Sequence, residues 1–118
     1  MYSVMKRFHF SAAHRLDQLP DGHPCRNMHG HNYEVDVIVS SERLNENGMV
    51  IDYRDLAVIV NPIISGLDHS VLNDAMINPP TAEHIANMLC VRIRRGQSSD
   101  VMVAVRVSET PNTWAEYR

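Results

Sequence analysis

Two stretches of the sequence alternate apolar and polar side chains with a period of two, and a turn-rich segment separates them. The first stretch covers residues 2–14 and ends at His14, and the second begins at His29. The apolar positions of one face are Phe8, Phe10 and Ala12 in the first stretch, and Tyr33, Val35, Val37 and Val39 in the second. This period is typical of half-buried strands. Residues 15–28 are rich in Pro, Gly, Asn and Asp, which predicts a loop between the two strands.

Helical spacing appears twice in the second half of the chain. Asp52 is a typical N-cap before the first helix, which we expect to end at Gly66. Thr81 is a typical N-cap before the second helix, which we expect to end at Gly96. The apolar stripes of these helices are Leu56, Ile59, Val60 and Ile63 in the first, and Ile85, Met88, Leu89 and Ile93 in the second. The connection over residues 67–80 is polar and ends in Asn-Pro-Pro, which cannot continue a helix.

The predicted order of elements is β-β-α-α-β-β, with the last two strands at residues 101–107 and 113–117. Hairpins joined by a helical pair indicate an α+β fold, with an antiparallel four-stranded sheet and two helices on one face. A chain of 118 residues is expected to form a single domain over residues 1–118. An open sheet has two edges, and the last strand is short and polar, so we expect another subunit to pair there.

Composition excludes several classes of function. The chain has 14 acidic and 11 basic side chains, a net charge of −3, which argues against a nucleic-acid partner. No apolar run approaches the ~20 residues of a membrane span, and the N-terminus does not have the pattern of a signal peptide. Two cysteines cannot build a disulfide framework, and we expect a reducing, cytoplasmic setting. Cys90 lies in the apolar stripe of the second helix and is expected to be a core residue.

The chain has seven histidines, and four of them lie between residues 14 and 31. His29 and His31 are separated by Gly30 at the start of a predicted strand, so both imidazoles project from the same face. If the first two strands pair antiparallel, His14 at the end of the first strand lies beside them. Three imidazoles with an open fourth position are typical of a catalytic zinc site. The alternative is a pair of strand histidines on a polar surface.

Cys25 lies four residues before His29, and two roles are open for it. As a thiolate it could be the fourth ligand of a structural zinc site. It could also be a nucleophile or base beside the metal, because a nearby cation and imidazole lower the pKa of a thiol.

Two acidic positions also deserve interpretation. Asp68 precedes His69, and a carboxylate there could set the protonation state of the imidazole; an N-cap beside a surface histidine is the alternative. Glu109 ends the third long strand, where a carboxylate could accept the paired N–H donors of a planar heterocycle such as guanine or a pterin. A solvated glutamate is the alternative for that position.

Five motifs occur in an order that resembles the 6-pyruvoyl-tetrahydropterin synthase family over the whole chain. They are F-x-x-A-H-R-L at 10–16, C-x-x-x-H-G-H at 25–31, L-D-H-x-x-L-N at 67–73, P-T-x-E at 80–83 and S-E-T at 108–110. The three residues between Cys25 and the H-G-H motif look most like the bacterial 6-carboxy-5,6,7,8-tetrahydropterin synthase branch, which belongs to queuosine biosynthesis. A branch that replaces the cysteine by glutamate is disfavoured. His84 departs from the resemblance, because an uncharged residue such as Asn is more usual there.

The resemblance implies a fold, an assembly and a set of roles. The fold is the tunnelling fold, whose protomers join into barrels, commonly hexamers with sites at subunit interfaces. The implied roles are zinc ligation by His14, His29 and His31, a catalytic thiol at Cys25, proton relay by Asp68 and His69, pterin anchoring by Glu109, and nearby substrate contacts from Thr81 and Glu83.

The implied reaction converts 7,8-dihydroneopterin triphosphate to 6-carboxytetrahydropterin with release of acetaldehyde and triphosphate. The low net charge means that a local basic group must meet the triphosphate, and Arg15 and Arg26 flank two of the proposed site residues. A pyruvoyl synthase that keeps all side-chain carbons is the second hypothesis. A small non-catalytic zinc domain, in which Cys25 is the fourth ligand, is the third.

Overall fold

The computed structural model describes residues 1–75 and 79–118. It contains five strands, two long helices and one short helix. Their bounds are β1 Tyr2–His14, β2 His29–Ser41, α1 Tyr53–Ser65, β3 Ser70–Val71, α2 Leu72–Ala75, α3 Ala82–Arg95, β4 Met102–Thr110 and β5 Thr113–Tyr117. A short 3₁₀ turn, Pro24–Arg26, lies in the loop between β1 and β2. The predicted α+β class and the order of the main elements are confirmed.

The sheet has the strand order β3-β1-β2-β4-β5. β1 and β2 pair antiparallel without interruption from Tyr2 opposite Ser41 to His14 opposite His29. β4 pairs antiparallel with both β2 and β5. The hairpin expected from the two alternating stretches is therefore present, and its register brings the histidine-bearing ends together.

The prediction of four antiparallel strands was incomplete, because β3 is a fifth strand that runs parallel to β1. Its two residues, Ser70 and Val71, pair with Ala12 and Ala13. A two-residue strand is too short to show any alternation, so sequence periodicity cannot detect it. It also lies in the stretch that we expected to be a polar connection. Asn78 of the expected Asn-Pro-Pro break lies outside the described residues.

The core lies between one face of the sheet and the long helices α1 and α3. The alternating positions of β2 are fully buried at Tyr33, Val35, Val37 and Val39. The buried helix positions are Leu56, Val60 and Ile64 in α1, and Ile85, Ala86, Leu89, Cys90 and Ile93 in α3. Each large apolar side chain buried in this way contributes roughly 1.5–3 kcal/mol. This packing holds the helices on the face of the sheet that also carries His14, His29 and His31.

Both long helices begin and end where the sequence predicts. The Asp52 carboxylate accepts a hydrogen bond from the Arg54 amide at 2.7 Å, and the Thr81 hydroxyl accepts one from the His84 amide at 3.3 Å. Gly96 follows α3 where that helix meets α1, and a Cβ there would lie 3.0 Å from the side chain of Ile59. No helix among the described residues is long and apolar enough to cross a membrane.

Candidate metal centre

Three imidazoles meet where β1 ends and β2 begins. Cross-strand pairing places His14 opposite His29, and His31 lies two residues further along β2 on the same face. The Nε2 atoms of His14 and His29 are 2.9 Å apart. One ligand nitrogen from each of the three rings lies within 4.8 Å of the others. The hairpin register therefore builds the cluster that the sequence pattern predicted.

Backbone carbonyls fix the tautomers of two of these rings. The Nδ1 of His14 donates to the Pro80 carbonyl at 2.9 Å, and the Nδ1 of His29 donates to the Asn27 carbonyl at 2.7 Å. A carbonyl only accepts, so Nδ1 carries a hydrogen in both rings and Nε2 is the ring atom that faces the cluster. The two Nε2 atoms lie 2.9 Å apart, a distance at which either a shared proton or a metal ion must offset the repulsion of two lone pairs. A tetrahedral zinc ion with bonds of ~2.0 Å separates its ligand atoms by about 3.3 Å, and the ligand nitrogens of the three rings lie within 4.8 Å of one another.

His31 supplies the third donor. Its Nε2 is buried and has no hydrogen-bond partner among the described residues. Burial lowers the pKa of His31; the neighbouring Glu109 carboxylate partly opposes this, while His14 and His29 lower it further. A ring kept neutral presents a lone pair, which is the form that binds a metal. The orphaned nitrogen, the fixed tautomers and the all-imidazole donor set fit a zinc ion with one open coordination position.

Cys25 is not part of this cluster. Among the described residues, the group whose ligand atoms converge closely enough to hold a metal ion consists of the three histidines. Cys25 is partly exposed in the 3₁₀ turn. Its carbonyl accepts a hydrogen bond at 2.9 Å from the amide of Leu16, two residues after His14. The turn is thus fastened beside the metal cluster while its thiol lies outside the ligand set.

Glu109 approaches the metal cluster from β4. One of its carboxylate oxygens lies 3.8 Å from the Nε2 of His31. Glu109 also lines a cleft of about 260 Å³ together with Thr81, Glu83 and Leu16. The structure therefore brings Glu109 to the same cleft as Thr81 and Glu83, although β4 and the start of α3 are separate in the sequence. Trp114, which belongs to none of the sequence motifs, also lines this cleft.

Tyr33 lies beneath the cluster, whereas the sequence pattern predicts only that it is one of the buried positions of its strand. Its ring stacks on Phe10 with centroids 4.7 Å apart, and its hydroxyl lies 3.4 Å from the Nδ1 of His14. Burial raises the pKa of Tyr33, and the Glu109 charge raises it further. The signal that could have identified it is its position two residues after His31 on the same strand face.

Asp68 and His69 form a pair at the other edge of β1. The Nδ1 of His69 lies 2.9 Å from a carboxylate oxygen of Asp68. The backbone of Ser11 binds both residues: its amide donates to the Asp68 carboxylate at 2.9 Å, and its carbonyl accepts from the His69 amide at 2.7 Å. His69 has a left-handed backbone with φ of 56°. It is 84% exposed and lines a depression of about 530 Å³ that His31 also lines. In the part of the chain that the structure describes, neither side chain hydrogen-bonds to Cys25.

The Ser11 amide is the main reason that the pKa of Asp68 is lowered, and the hydrogen bond to His69 adds to it. Asp68 is therefore a carboxylate at neutral pH. An ionised acceptor beside Nδ1 of His69 favours the hydrogen on that nitrogen and leaves the other ring nitrogen without the carboxylate contact.

The two arginines are both engaged near the surface. Arg15 is ion-paired with Asp17 at 3.1 Å. Arg26 donates to the carbonyls of Asp17 and Leu19 at 2.7 and 2.8 Å, which clasps the loop that holds Cys25. The guanidinium of Arg15 is held less firmly than that of Arg26, because its partner is the exposed carboxylate of Asp17 in the same loop.

The remaining histidines differ in their surroundings. His84 donates from Nδ1 to the Pro79 carbonyl at 2.6 Å, next to the Pro80 carbonyl that holds His14. His23 accepts a hydrogen bond from the Cys25 amide at 3.1 Å. His9 is exposed on the sheet face opposite the helices.

Comparison with known proteins places these residues in a family context. Residues 3–118 match the family model described as 6-pyruvoyl tetrahydropterin synthase. A protein of Archaeoglobus fulgidus, provisionally named 6-carboxy-5,6,7,8-tetrahydropterin synthase, is 40% identical over 111 residues, covering 92% of this chain and 89% of its own. The 6-carboxy-5,6,7,8-tetrahydropterin synthase of Synechocystis is 36% identical, covering 99% and 93%. The 6-pyruvoyl tetrahydropterin synthase structure from Caenorhabditis elegans superposes with a TM-score of 0.87 at 27% identity, covering 99% and 94%.

Proposed function

Because this chain belongs to the 6-pyruvoyl tetrahydropterin synthase family, we propose that it is a zinc-dependent carbon–carbon lyase, a 6-carboxytetrahydropterin synthase. Its substrate would be 7,8-dihydroneopterin triphosphate, and its products 6-carboxy-5,6,7,8-tetrahydropterin, acetaldehyde and triphosphate, within queuosine biosynthesis. The observation that carries the proposal is the three-histidine cluster with an open position, 3.8 Å from the Glu109 carboxylate. The names of the relatives at 36–40% identity favour this branch of the family.

Glu109 is the proposed anchor for the pterin ring. A carboxylate accepts two N–H donors from one edge of a planar heterocycle, and this charge-assisted pairing fixes both position and orientation. A ring held by Glu109 would extend its side chain toward His31, since the two groups are neighbours. Thr81 and Glu83 line the same cleft and are the proposed further contacts.

Four other groups complete the proposed chemistry: the zinc ion, the Cys25 thiol, the Asp68–His69 pair and the two arginines. A zinc ion held by His14, His29 and His31 would supply Lewis acidity toward the substrate's side-chain hydroxyls. Cys25, as thiolate, would remove a proton from the substrate side chain. His69, with its Nδ1 beside the Asp68 carboxylate, would return or relay protons from its other ring nitrogen. Arg15 and Arg26 are the proposed triphosphate contacts, and their present partners rank Arg15 first.

Assembly of several copies, commonly a hexamer, is part of the proposal. Among the described residues, the partners of His69 are Asp68 and Ser11 and do not include Cys25, so we propose that a neighbouring subunit brings the thiol and a relay histidine to one substrate. The edges of the sheet support this, because among residues 1–75 and 79–118 β5 pairs with β4 alone and β3 covers β1 at just two residues. Unpaired strand edges of this kind favour pairing between copies.

The direct test is incubation of the zinc-loaded protein with 7,8-dihydroneopterin triphosphate, followed by product masses. Acetaldehyde and a carboxypterin support the proposed lyase. A pyruvoyl product that retains every side-chain carbon would identify the second activity of the family instead. A folded, zinc-loaded sample that consumes no substrate would contradict both activities.

Replacing Cys25 separates a catalytic thiol from a structural ligand. We expect Cys25→Ala to bind zinc as the wild type does and to lose turnover, since the thiol lies outside the converging ligand set. We expect His29→Ala and His31→Ala to lose both. A sharp loss of zinc from Cys25→Ala would support the non-catalytic zinc domain.

A further inference from the structure

The short turn that carries Cys25 has an unusual cap. His23 is the N-cap residue of Pro24–Arg26, and its Nδ1 accepts the Cys25 amide at 3.1 Å. Caps of this kind usually use the short side chains of Ser, Thr, Asp or Asn. Here an imidazole nitrogen is the capping acceptor, and the donor is the backbone amide of Cys25, the residue that carries the proposed catalytic thiol.

Two other polar anchors of the turn lead to the metal cluster. The Cys25 carbonyl is held at 2.9 Å by the amide of Leu16, which continues from the end of β1. The turn closes at Asn27, whose amide donates to the Pro24 carbonyl at 3.1 Å and whose own carbonyl holds His29 at 2.7 Å. Arg26 holds the turn to the preceding loop, since its amide donates to the His23 carbonyl at 3.1 Å and its guanidinium donates to two loop carbonyls at 2.7 and 2.8 Å. The Cys25 amide itself is held by the Nδ1 of His23, which is a side chain in an exposed loop.

We propose that His23 is a positioning residue for the proposed reaction: its Nδ1 caps the turn and thereby fixes the backbone that places the Cys25 thiol beside the metal cluster. The role is that of a hydrogen-bond acceptor at one site, the Cys25 amide. This inference rests on the proposed function for its effect on turnover, whereas its effect on the turn stands on the structure alone.

Loss of the acceptor should loosen the turn without dissolving the fold. Since the turn contributes no buried residue to the core, its loosening leaves the packed sheet and helices in place. The thiol would then spend part of its time out of line with the substrate, which lowers the rate of the chemical step rather than the affinity for the pterin ring.

The test compares His23→Ala and His23→Asn with His9→Ala as the matched control, because His9 is an exposed histidine on the opposite sheet face. Amide exchange at Cys25 is measured by NMR, and kcat and KM are measured on zinc-saturated samples. We expect exchange about fivefold faster in His23→Ala, the usual size of a lost cap. We expect kcat about tenfold lower and KM within about twofold of the wild type. Asn supplies a side-chain acceptor, so His23→Asn should restore both, and His9→Ala should behave as the wild type.

Two results would overturn the inference. One is a His23→Ala protein whose Cys25 amide exchanges as slowly as in the wild type. The other is a His23→Asn protein as impaired as His23→Ala, which would mean that the imidazole matters for something other than its acceptor. If His23→Ala fails to fold, the test rests on His23→Asn, which removes the ring and keeps a side-chain acceptor. Exchange and turnover like those of the wild type would then support the inference, and impairment of either would overturn it. If no sample, wild type included, turns over the pterin, the proposed function fails while the exchange data still judge the cap.

Discussion

At the scale of single residues, the histidines are distinguished by what their Nδ1 atoms contact. Nδ1 of His14 and of His29 donates to a carbonyl, which leaves Nε2 free for a metal. Nδ1 of His23 instead accepts an amide hydrogen, and Nδ1 of His69 faces a carboxylate. The proposed roles of ligand and proton carrier, and the observed role of cap, thus each follow from one neighbour of the ring. Because that neighbour is a backbone group or an acid, each role can be tested by a single substitution.

Replacing Glu109 by Gln tests the anchor for the heterocycle. The change removes the charge and half of the paired acceptors while keeping the shape, and loss of a charge-assisted pair costs about 1.5–3 kcal/mol. We expect KM to rise about tenfold to a hundredfold, with zinc content unchanged, as measured by steady-state kinetics and metal analysis. Glu116→Gln is the matched control, because Glu116 pairs with Arg106 at 2.6 Å on β4 and β5, outside the cleft. Equal KM values for the two variants would contradict the assignment.

Asp68→Asn tests the carboxylate that holds His69. The pKa of Asp68 is lowered in the folded protein, mainly by the Ser11 amide, so its ionisation stabilises the fold above the ordinary aspartate pKa of 3.8. That contribution is lost as pH falls through the folded pKa. We therefore expect the stability difference between wild type and Asp68→Asn in urea unfolding to be full near about pH 6 and to shrink towards about pH 3. A difference that stays constant over this range would show that the charge is not responsible.

At the scale of secondary-structure elements, the N-terminus of α3 connects the fold to the candidate site. Thr81 caps the helix and lines the Glu109 cleft, and the preceding Pro80 carbonyl orients His14. α1 has a comparable cap at Asp52, but that helix end has no contact with the metal cluster among the described residues. The Thr81 cap therefore contributes to both helix stability and the candidate site, whereas the Asp52 cap contributes to helix stability.

The paired variants Thr81→Ala and Asp52→Ala exploit this difference. Each removes one capping acceptor and is expected to cost about 1 kcal/mol in the free energy of unfolding. Only Thr81→Ala is expected to weaken zinc binding and raise KM, since it loosens the segment that holds His14 and lines the cleft. Chemical denaturation, a zinc competition assay and kinetics measure the three quantities. Similar effects of both variants on zinc affinity would contradict a special role for this helix end.

At the scale of the whole molecule, the chain is elongated, and none of the described helices packs on the second face of the sheet. Its extents are 55 × 23 × 23 Å, and its Cα radius of gyration is 15.4 Å. A compact chain of this length would have a radius of about 13.5 Å. The face opposite the helices carries ordered polar pairs, including Arg7 with Asp36 at 2.7 Å and Ser3 with Ser40 at 2.7 Å. An elongated chain whose second sheet face carries ordered polar pairs favours assembly from several copies.

Light scattering tests this expectation directly. We expect the purified protein to have a mass that is a multiple of the 13.4 kDa chain, with six copies as the proposed number. Small-angle scattering should give a radius well above 15.4 Å. A monodisperse 13.4 kDa species that is fully active would contradict both the assembly and the need for a neighbouring subunit at the site.

The sequence by itself determined the parts of this protein that follow from local backbone geometry. Alternation with a period of two predicts β1 and β2 and places His14, His29 and His31 on the buried face. The capping residues Asp52 and Thr81 predict where the helices begin, because a cap acts within three residues. These patterns repeat over distances that a short stretch of sequence contains.

Only the tertiary structure decided which distant groups meet. The Pro80 carbonyl that holds His14 is 66 residues away in the chain, and the approach of Glu109 to His31 depends on β4 lying beside β2. The two residues of β3 show no pattern of their own, yet they end the segment that holds Asp68 and His69 against Ser11. Hydrogen-bond partners and strand neighbours arise from packing of the whole chain, and a pattern confined to a few neighbouring residues carries no information about them.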